Sequence, residues 1–467
     1  MLSRPSRIVV GSTLLSAVLL GGCTMYRAVP LPTQPDAPSS VSRIPIDAAT
    51  LRSLHFPALA AHHFDPSDGL DSVEVAMLAV SNNPDLKLAR DDLGIAHAQS
   101  YAAGLLPDPQ VGISSDYVTP GGSNATRAFN YGITMDLMAI ASIPGAKAVA
   151  EHNVGKLDLG LLWQEQQIIA QARRLFAKVC IQDELLPLAR QASELAQARY
   201  ETYREAVSAG NLTSDNVSAA LTSAQDTHKQ YTDLQHADLQ AHADLNALLG
   251  LSPETELTLI GGARDVAASD VALDEAVGHL AQRRADLLAL AQGYAAQDAQ
   301  YRQAILKQFP SLTVGFVRAR DTSNVYTSGF QINLSLPIFN RNQGNVAIES
   351  ATRTRLHDEY QIRLNQAYAD IARLRADRTI SRTQLRDVEG VLPGLSQVSA
   401  DATREFQARN LTLTAYTDSR LAWLAKSIEA LSLREAVEEQ DITIETLAGL
   451  AMVSDSTPSK ESNHEQK

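Results

Sequence analysis

At 467 residues, with only 5% aromatic side chains, two cysteines and a formal net charge of −13, the chain offers no disulfide framework and argues against a nucleic-acid partner. Its surplus of Ala, Leu, Gln and Arg favours long helices over compact α/β units.

Arg4 and Arg7 precede an apolar run from Ile8 to Leu20, which ends at Leu20-Gly21-Gly22-Cys23. Residues 1–22 therefore read as a signal peptide, and Leu-x-Gly-Cys resembles a bacterial lipoprotein box in which Cys23 becomes the lipidated mature terminus. Thr24, rather than Asp, at the next position implies sorting to the outer membrane. Elsewhere no apolar run approaches the ~20 residues of a membrane helix. Any membrane crossing by the mature chain then falls to strands.

Residues 23–70 hold Pro30, Pro32, Pro35, Pro38, Pro45, Pro57 and Pro66 and read as an extended arm on the surface. His55, His62 and His63 fall in this arm, but nothing completes a metal-ligand set around them. Residues 71–250 form a first repeat. A helix is expected from Asp71 to Leu105, stopped by Leu106-Pro107-Asp108-Pro109. Two alternating strands follow: Val111, Ile113 and Tyr117 on one face, then Phe129, Tyr131, Ile133, Met135 and Leu137, with a loop at Thr119 to Asn124 between them. Ile143-Pro144-Gly145 marks the junction to a helix from Ala146 to Ser208, roughly 95 Å long at ~1.5 Å per residue. Leu157, Leu161, Ile168, Ala172, Leu175 and Val179 give that helix a packed stripe, in which Cys180 is a small apolar residue. The chain turns at Ala209-Gly210-Asn211-Leu212-Thr213 and returns from Asn216 to Leu249.

After a connector over residues 251–280, residues 281–450 repeat the order. Leu312, Val314 and Phe316 alternate, a polar loop runs from Arg320 to Tyr326, and Phe330, Ile332, Leu334 and Leu336 alternate again. Pro337 ends that strand, Gly344 is expected to turn the chain, and a helix runs from Val346 to Ala408. Ala408-Arg409-Asn410-Leu411-Thr412 forms the second tip, followed by a helix from Tyr416 to Leu447, with residues 451–467 a disordered tail. Pro187 and Pro393 are expected to kink the long helices. Asn83-Pro84-Asp85-Leu86 against Arg284-Ala285-Asp286-Leu287, and Val111-Gly112 against Val314-Gly315, fix the chain as a tandem duplication with an offset near two hundred residues.

Each strand is near the ~9–11 residues that cross a bilayer obliquely, with one apolar and one polar face. Four strands cannot close a barrel, since about eight are needed even to fill one with side chains. Three chains would supply twelve.

No Gly-x-Ser-x-Gly, phosphate loop, His-Glu-x-x-His or Cys-x-x-Cys occurs, and His228, His236 and His242 are not one helical turn apart, so neither an enzyme nor a cofactor nor a metal site is expected.

The lipoprotein box, the duplicated helix–strand–strand–helix unit, the paired tips and Leu336-Pro337-Ile338-Phe339-Asn340-Arg341-Asn342-Gln343-Gly344-Asn345 together resemble the TolC family of outer-membrane efflux channels, over about Asp71 to Leu450. The junction wording looks most like the family's heavy-metal branch. The resemblance implies a mainly α fold with a membrane β-barrel contribution: a homotrimer with a twelve-stranded barrel in outer-membrane lipid and an α-helical barrel in the periplasm. It implies partners too, a periplasmic adaptor and an inner-membrane pump of the resistance-nodulation-division type. The family gates its periplasmic end with carboxylates on the helix tips. Carried over, this marks Asp215, Asn216, Arg404, Arg409 and Asp418 as gate candidates, although Arg409 stands where the first tip has Gly210, and Ala415 replaces an acidic residue. The residues leave open a multidrug or type I secretion conduit and, in another class, a non-transporting periplasmic coiled-coil scaffold lipoprotein.

Overall fold

A computed structural model describes residues 26–34, 37–41, 59, 62–117, 126–261 and 268–450. Cys23, His55, the loop from Thr119 to Asn124 and the tail 451–467 lie outside the described residues. Residues up to Ala37 form one unit, whose described stretch 26–34 carries no helix or strand. The second unit, from Pro38 onward, holds every helix and strand named here.

Asp71 opens helix α1 (Ser72–Asn82) with a capping box: its carboxylate accepts from the amides of Val73 and Glu74 at 2.8 Å each, and Glu74 reaches back to the Asp71 amide at 3.0 Å. Where one helix to Leu105 was expected there are two, α1 and α2 (Pro84–Ala103). Pro84 lacks an amide hydrogen and drives the residue before it out of helical geometry, so Asn83 sits at φ −59°, ψ 127° and caps α2 instead.

Strands β1 (Gln110–Asp116) and β2 (Ala128–Asp136) follow. β2 runs straight into α3 (Leu137–Ser208), because Asp136 caps it by accepting from the amides of Met138 and Ala139 at 2.8 and 3.1 Å. Ile143-Pro144-Gly145 is therefore not the junction; Pro144 and Pro187 both lie within this 72-residue helix, which is about 108 Å long. Helix α4 (Ser214–Leu248) returns. Helices α5 (Asp270–Gly278), α6 (Leu280–Arg283) and α7 (Ala285–Leu306), and strands β3 (Ser311–Arg320) and β4 (Tyr326–Ser335), lead to the second long helix.

Here the repeats differ. An irregular segment from Leu336 to Asn342 separates β4 from α8 (Gln343–Gln407). The turn is made by Arg341 and Asn342, at φ 48° and 52°, and not by Gly344, which lies inside α8. Asn342 offsets its left-handed backbone by donating from Nδ2 to the Ala304 carbonyl at 2.8 Å, which ties the turn to the end of α7. Helix α9 (Leu413–Leu447) completes the second hairpin.

α3 is the spine. Gly145 and Gly155, in its strand-proximal half, let the chain approach Gln303 and Gln292 of α7 closely; farther along, Arg173, Gln182 and Arg199 reach α9 at Glu445, Glu435 and Asp418. α1, α2 and α4 cover its other flank, and α7 and α9 lie between it and α8. Val75, Leu78, Phe176, Val179, Leu245 and Leu248 bind α1, α3 and α4 into one core, and Ile181, Leu185 and Ala189 meet Ile428 of α9 in another. The arm's described residues 26–34 are exposed, as expected, but from Pro38 onward it is partly built into the core. Leu59 is buried among Met77, Val80 and Ile169, Phe64 and Val41 pack on the core, and the Pro38 carbonyl accepts from the Ser252 amide at 2.9 Å.

The duplication is visible in single bonds. Asn83 donates from Nδ2 to the Leu248 carbonyl at 2.9 Å; in the second repeat Arg284 donates from Nη1 to the Leu447 carbonyl at 3.3 Å. Two unlike side chains thus satisfy the orphan carbonyls at the end of a returning helix. Arg284 is buried, and it forks onto Asp286 at 2.9 and 2.7 Å while lying 4.9 Å from the centroid of the Trp163 ring. Burial raises the Asp286 carboxyl, but the hydrogen bonds and charges of Arg284 and Arg363 outweigh it and hold the group below its ordinary value.

Asp286→Ala would strand a buried guanidinium, and urea unfolding should show a loss of ~3 kcal/mol. Because the folded carboxyl is depressed, its contribution is present above the ordinary Asp value of ~3.9 and disappears as pH falls below it. The acid limb of the stability–pH curve should therefore be shallower in Asp286→Ala than in the parent chain.

Candidate functional site

The four strands form one antiparallel sheet in the order β1-β2-β3-β4. Directly opposed residues share a face, so the register places Val111 beside Ile133, Ile133 beside Phe316, and Phe316 beside Phe330. Ile113, Tyr131, Met135, Leu312, Val314, Ile332 and Leu334 extend that face by the same pairing. Asn130, Thr134, Thr313, Gln331, Asn333 and Ser335 occupy the other. The apolar face is uncovered: Ile113, Phe330 and Ile332 are 80%, 91% and 70% exposed. So large a bare patch marks a surface meant for lipid or for another chain. On the polar face Gly315 permits close strand approach, since a Cβ there would lie 2.5 Å from the Ile133 carbonyl oxygen.

The end of the sheet away from the helices carries a belt of aromatic rings and arginines. Arg127 lies 4.3 Å from the Tyr117 ring centroid, Arg320 lies 4.9 Å from that of Phe129, and Phe129 stacks on Tyr131 at 5.9 Å. Rings with a polar companion suit the boundary between hydrocarbon and water.

Both flanks of the chain are open. Among the described residues, β1 and β4 each lack a partner on one side. Along α8, Ile348, Ile362, Ile380, Val391 and Val398 are at least half exposed and recur at near-whole numbers of helical turns. Leu88 and Ile95 on α2, with Leu221 and Leu239 on α4, present a second exposed row on the opposite flank.

The two helix tips have one geometry. At the first, the amides of Ala209, Gly210 and Asn211 donate to the carbonyls of Glu205, Val207 and Ala206 at 3.0, 3.0 and 2.8 Å. At the second, those of Ala408, Arg409 and Asn410 donate to Arg404, Phe406 and Glu405 at 2.9, 3.0 and 2.8 Å. Gly210 sits at φ 76° and Arg409 at φ 64°, so arginine occupies a left-handed position that suits glycine. Phe406 stacks on Tyr416 at 4.5 Å and stiffens the second tip.

The gate candidates are divided among several contacts. Asp418 pairs with Arg199 of α3, not with Arg404 or Arg409. Beside it the Tyr203 hydroxyl meets that of Thr414, and Arg199 lies 5.3 Å from the Tyr203 ring centroid, so the two tips are joined through α3 and α9. Arg404 pairs within its own helix with Asp401, whose carboxyl the Gln397 hydrogen bond and then Arg404 hold below its ordinary value. Asn216 donates to the Thr213 hydroxyl at 3.0 Å. Asp215, in the first turn of α4, and Arg409 are exposed, and neither enters an ion pair among the described residues. The sequence did not single out Arg199 or Tyr203. Their partners lie more than two hundred residues away on another helix, and only the α3–α9 packing reveals them.

A second cluster also escaped notice. Asp238 and His242 lie one turn apart on α4, and Asp183 faces them from α3. The histidine spacings alone carry no trace of it, because two of its three donors are aspartates and one of them comes from another helix. Three residues before Asp183, Cys180 is half-buried, and burial together with Asp183, Glu438 and Glu184 pushes its thiol up to about 11.

No family model matches the chain. It is 23% identical over 391 residues, 81% of this chain and 90% of the relative, to the cobalt-zinc-cadmium resistance protein CzcC of Cupriavidus metallidurans. Among solved structures, CusC, described in terms of transmembrane channel formation, superposes at a TM-score of 0.65 with 18% identity, covering 91% of this chain and 99% of that one. The CmeC outer membrane channel of Campylobacter jejuni gives 0.67 with 16% identity, over 82% and 86%. The chain has the fold of these outer-membrane channels.

Gly210→Ala forces a Cβ into the left-handed region and should destabilise the first tip by ~1 kcal/mol, whereas Arg409→Gly should steady the second. Hydrogen exchange of the tip amides reads both, faster in the first variant and slower in the second.

Proposed function

We propose that this chain is the outer-membrane channel of a tripartite efflux system, a passive conduit from a periplasmic adaptor and an inner-membrane pump to the exterior. The carrying observation is a sheet with one bare apolar face, one polar face and two unpaired edges. An open edge in hydrocarbon costs several kcal/mol per unmet backbone group, so β4 of one copy should pair with β1 of the next. The α8 row and the α2 and α4 rows are unlike surfaces on opposite flanks. That is the heterologous contact that closes into a ring, and three copies give twelve strands. The polar face lines the pore, and the α3–α4 and α8–α9 tips lie at the periplasmic end.

The likeness to a cobalt-zinc-cadmium resistance protein favours metal cations. Leu20-Gly21-Gly22-Cys23 supports a lipid anchor on Cys23 that holds the chain to the outer membrane. Domain bounds at 71–250 and 281–450 for the two repeats, joined by 251–280, are supported by the matching tips and matching helix ends. Asp215, Asn216, Arg404, Arg409 and Asp418 are proposed to border the periplasmic aperture. The Asp418–Arg199 contact is then a latch between the two tips, and an adaptor would release it by competing for either charge.

Purified protein in planar bilayers should conduct, and Asp418→Ala should raise the open fraction. Unchanged gating in that variant would remove the latch and leave the channel. Deletion of the gene with its pump intact should sensitise cells to cobalt, zinc or cadmium and not to hydrophobic drugs; the reverse pattern would reassign the cargo.

A further inference from the structure

We infer that Asp183, Asp238 and His242 form a binding site for a divalent transition-metal cation, which clips helix α4 to the spine helix α3. His242 Nε2 lies 3.6 Å from Asp238 Oδ1 and 4.0 Å from Asp183 Oδ1, and the three donor atoms all fall within 4.8 Å of one another. Tetrahedral zinc with metal–ligand bonds of ~2.0–2.1 Å brings its donors to about 3.3 Å from each other, so the set is completed by side-chain movement that shortens the two His242 separations and draws Asp183 toward Asp238. The i, i+4 spacing of Asp238 and His242 points both side chains across one face of α4, and Asp183 supplies the third donor from the neighbouring helix. Two carboxylate oxygens and an imidazole nitrogen suit zinc, cobalt or cadmium, and three protein donors leave a coordination position for water.

Two further observations point to a missing cation. Asp238 Oδ1 is shut off from solvent yet accepts no hydrogen bond, although it is aimed at the imidazole. Among the described residues, moreover, neither Asp183 nor Asp238 pairs with a lysine or arginine, and His242 is their shared partner.

The inference rests on these three side chains and not on the conduit reading. Cobalt(II), whose visible absorption reports its coordination, should be titrated into the purified full-length protein in detergent, with zinc then added to displace it. Expected are one cobalt per chain, a band in the visible, and a higher thermal midpoint with metal, because a cation bound only by the folded state stabilises it. His242→Gln and Asp238→Asn should each weaken binding at least tenfold and abolish the thermal shift. Asp233→Asn, on the same helix but paired with Lys229, should change neither. Cobalt binding that survives both ligand variants, or no binding by folded protein, would overturn the site. Conductance measured on the same sample separates the outcomes: a conducting protein that binds no cobalt removes the metal site alone.

Discussion

Unpaired backbone amides cannot face hydrocarbon, and nearly everything else in this chain follows from that. A four-stranded sheet with Phe330, Ile332 and Ile113 bare on one face is unusable alone, either in water or in lipid. On the proposed reading, lipid covers the apolar face and another copy of the sheet pairs the edges; because β1 and β4 differ, such copies would close into a ring. The helices leave apolar side chains bare on both flanks too, on α8 and on α2 and α4.

The duplication gives each chain two strand pairs and two helical hairpins, while α3 makes the two halves one object. It meets α7 near the strands and α9 near the tips, where Arg199, Gln182 and Arg173 make its polar contacts with the second hairpin. These contacts are polar and partly exposed, and each is weak by itself. The cores around Phe176 and Leu245, and around Ile181 and Ile428, are apolar and hold the middle of the assembly.

Much of this was legible because strands and helices have different periods. Phe330 to Leu336 alternates, the residues after Gln343 do not, and the change locates the foot of the barrel wall. The recurrence of Asn-Leu-Thr after Gly210 and after Arg409 revealed the repeat. What was misread came from local chemistry acting against pattern. Asn83 and Pro84 split a helix that periodicity would run through, Asp136 capped α3 ahead of the expected Pro144 junction, and Arg341 with Asn342 took the turn assigned to Gly344. The Asp418–Arg199 contact and the Asp183, Asp238 and His242 cluster were illegible for another reason, since each joins residues that only helix packing brings together.

The most direct test of sheet closure between copies is the native mass of the full-length protein extracted in detergent. A particle of three chains, dispersed only in detergent or lipid, is the expected result. A stable monomer, or a chain fully soluble in water without detergent, would contradict it, because the bare sheet face and the two free strand edges would then have no partner.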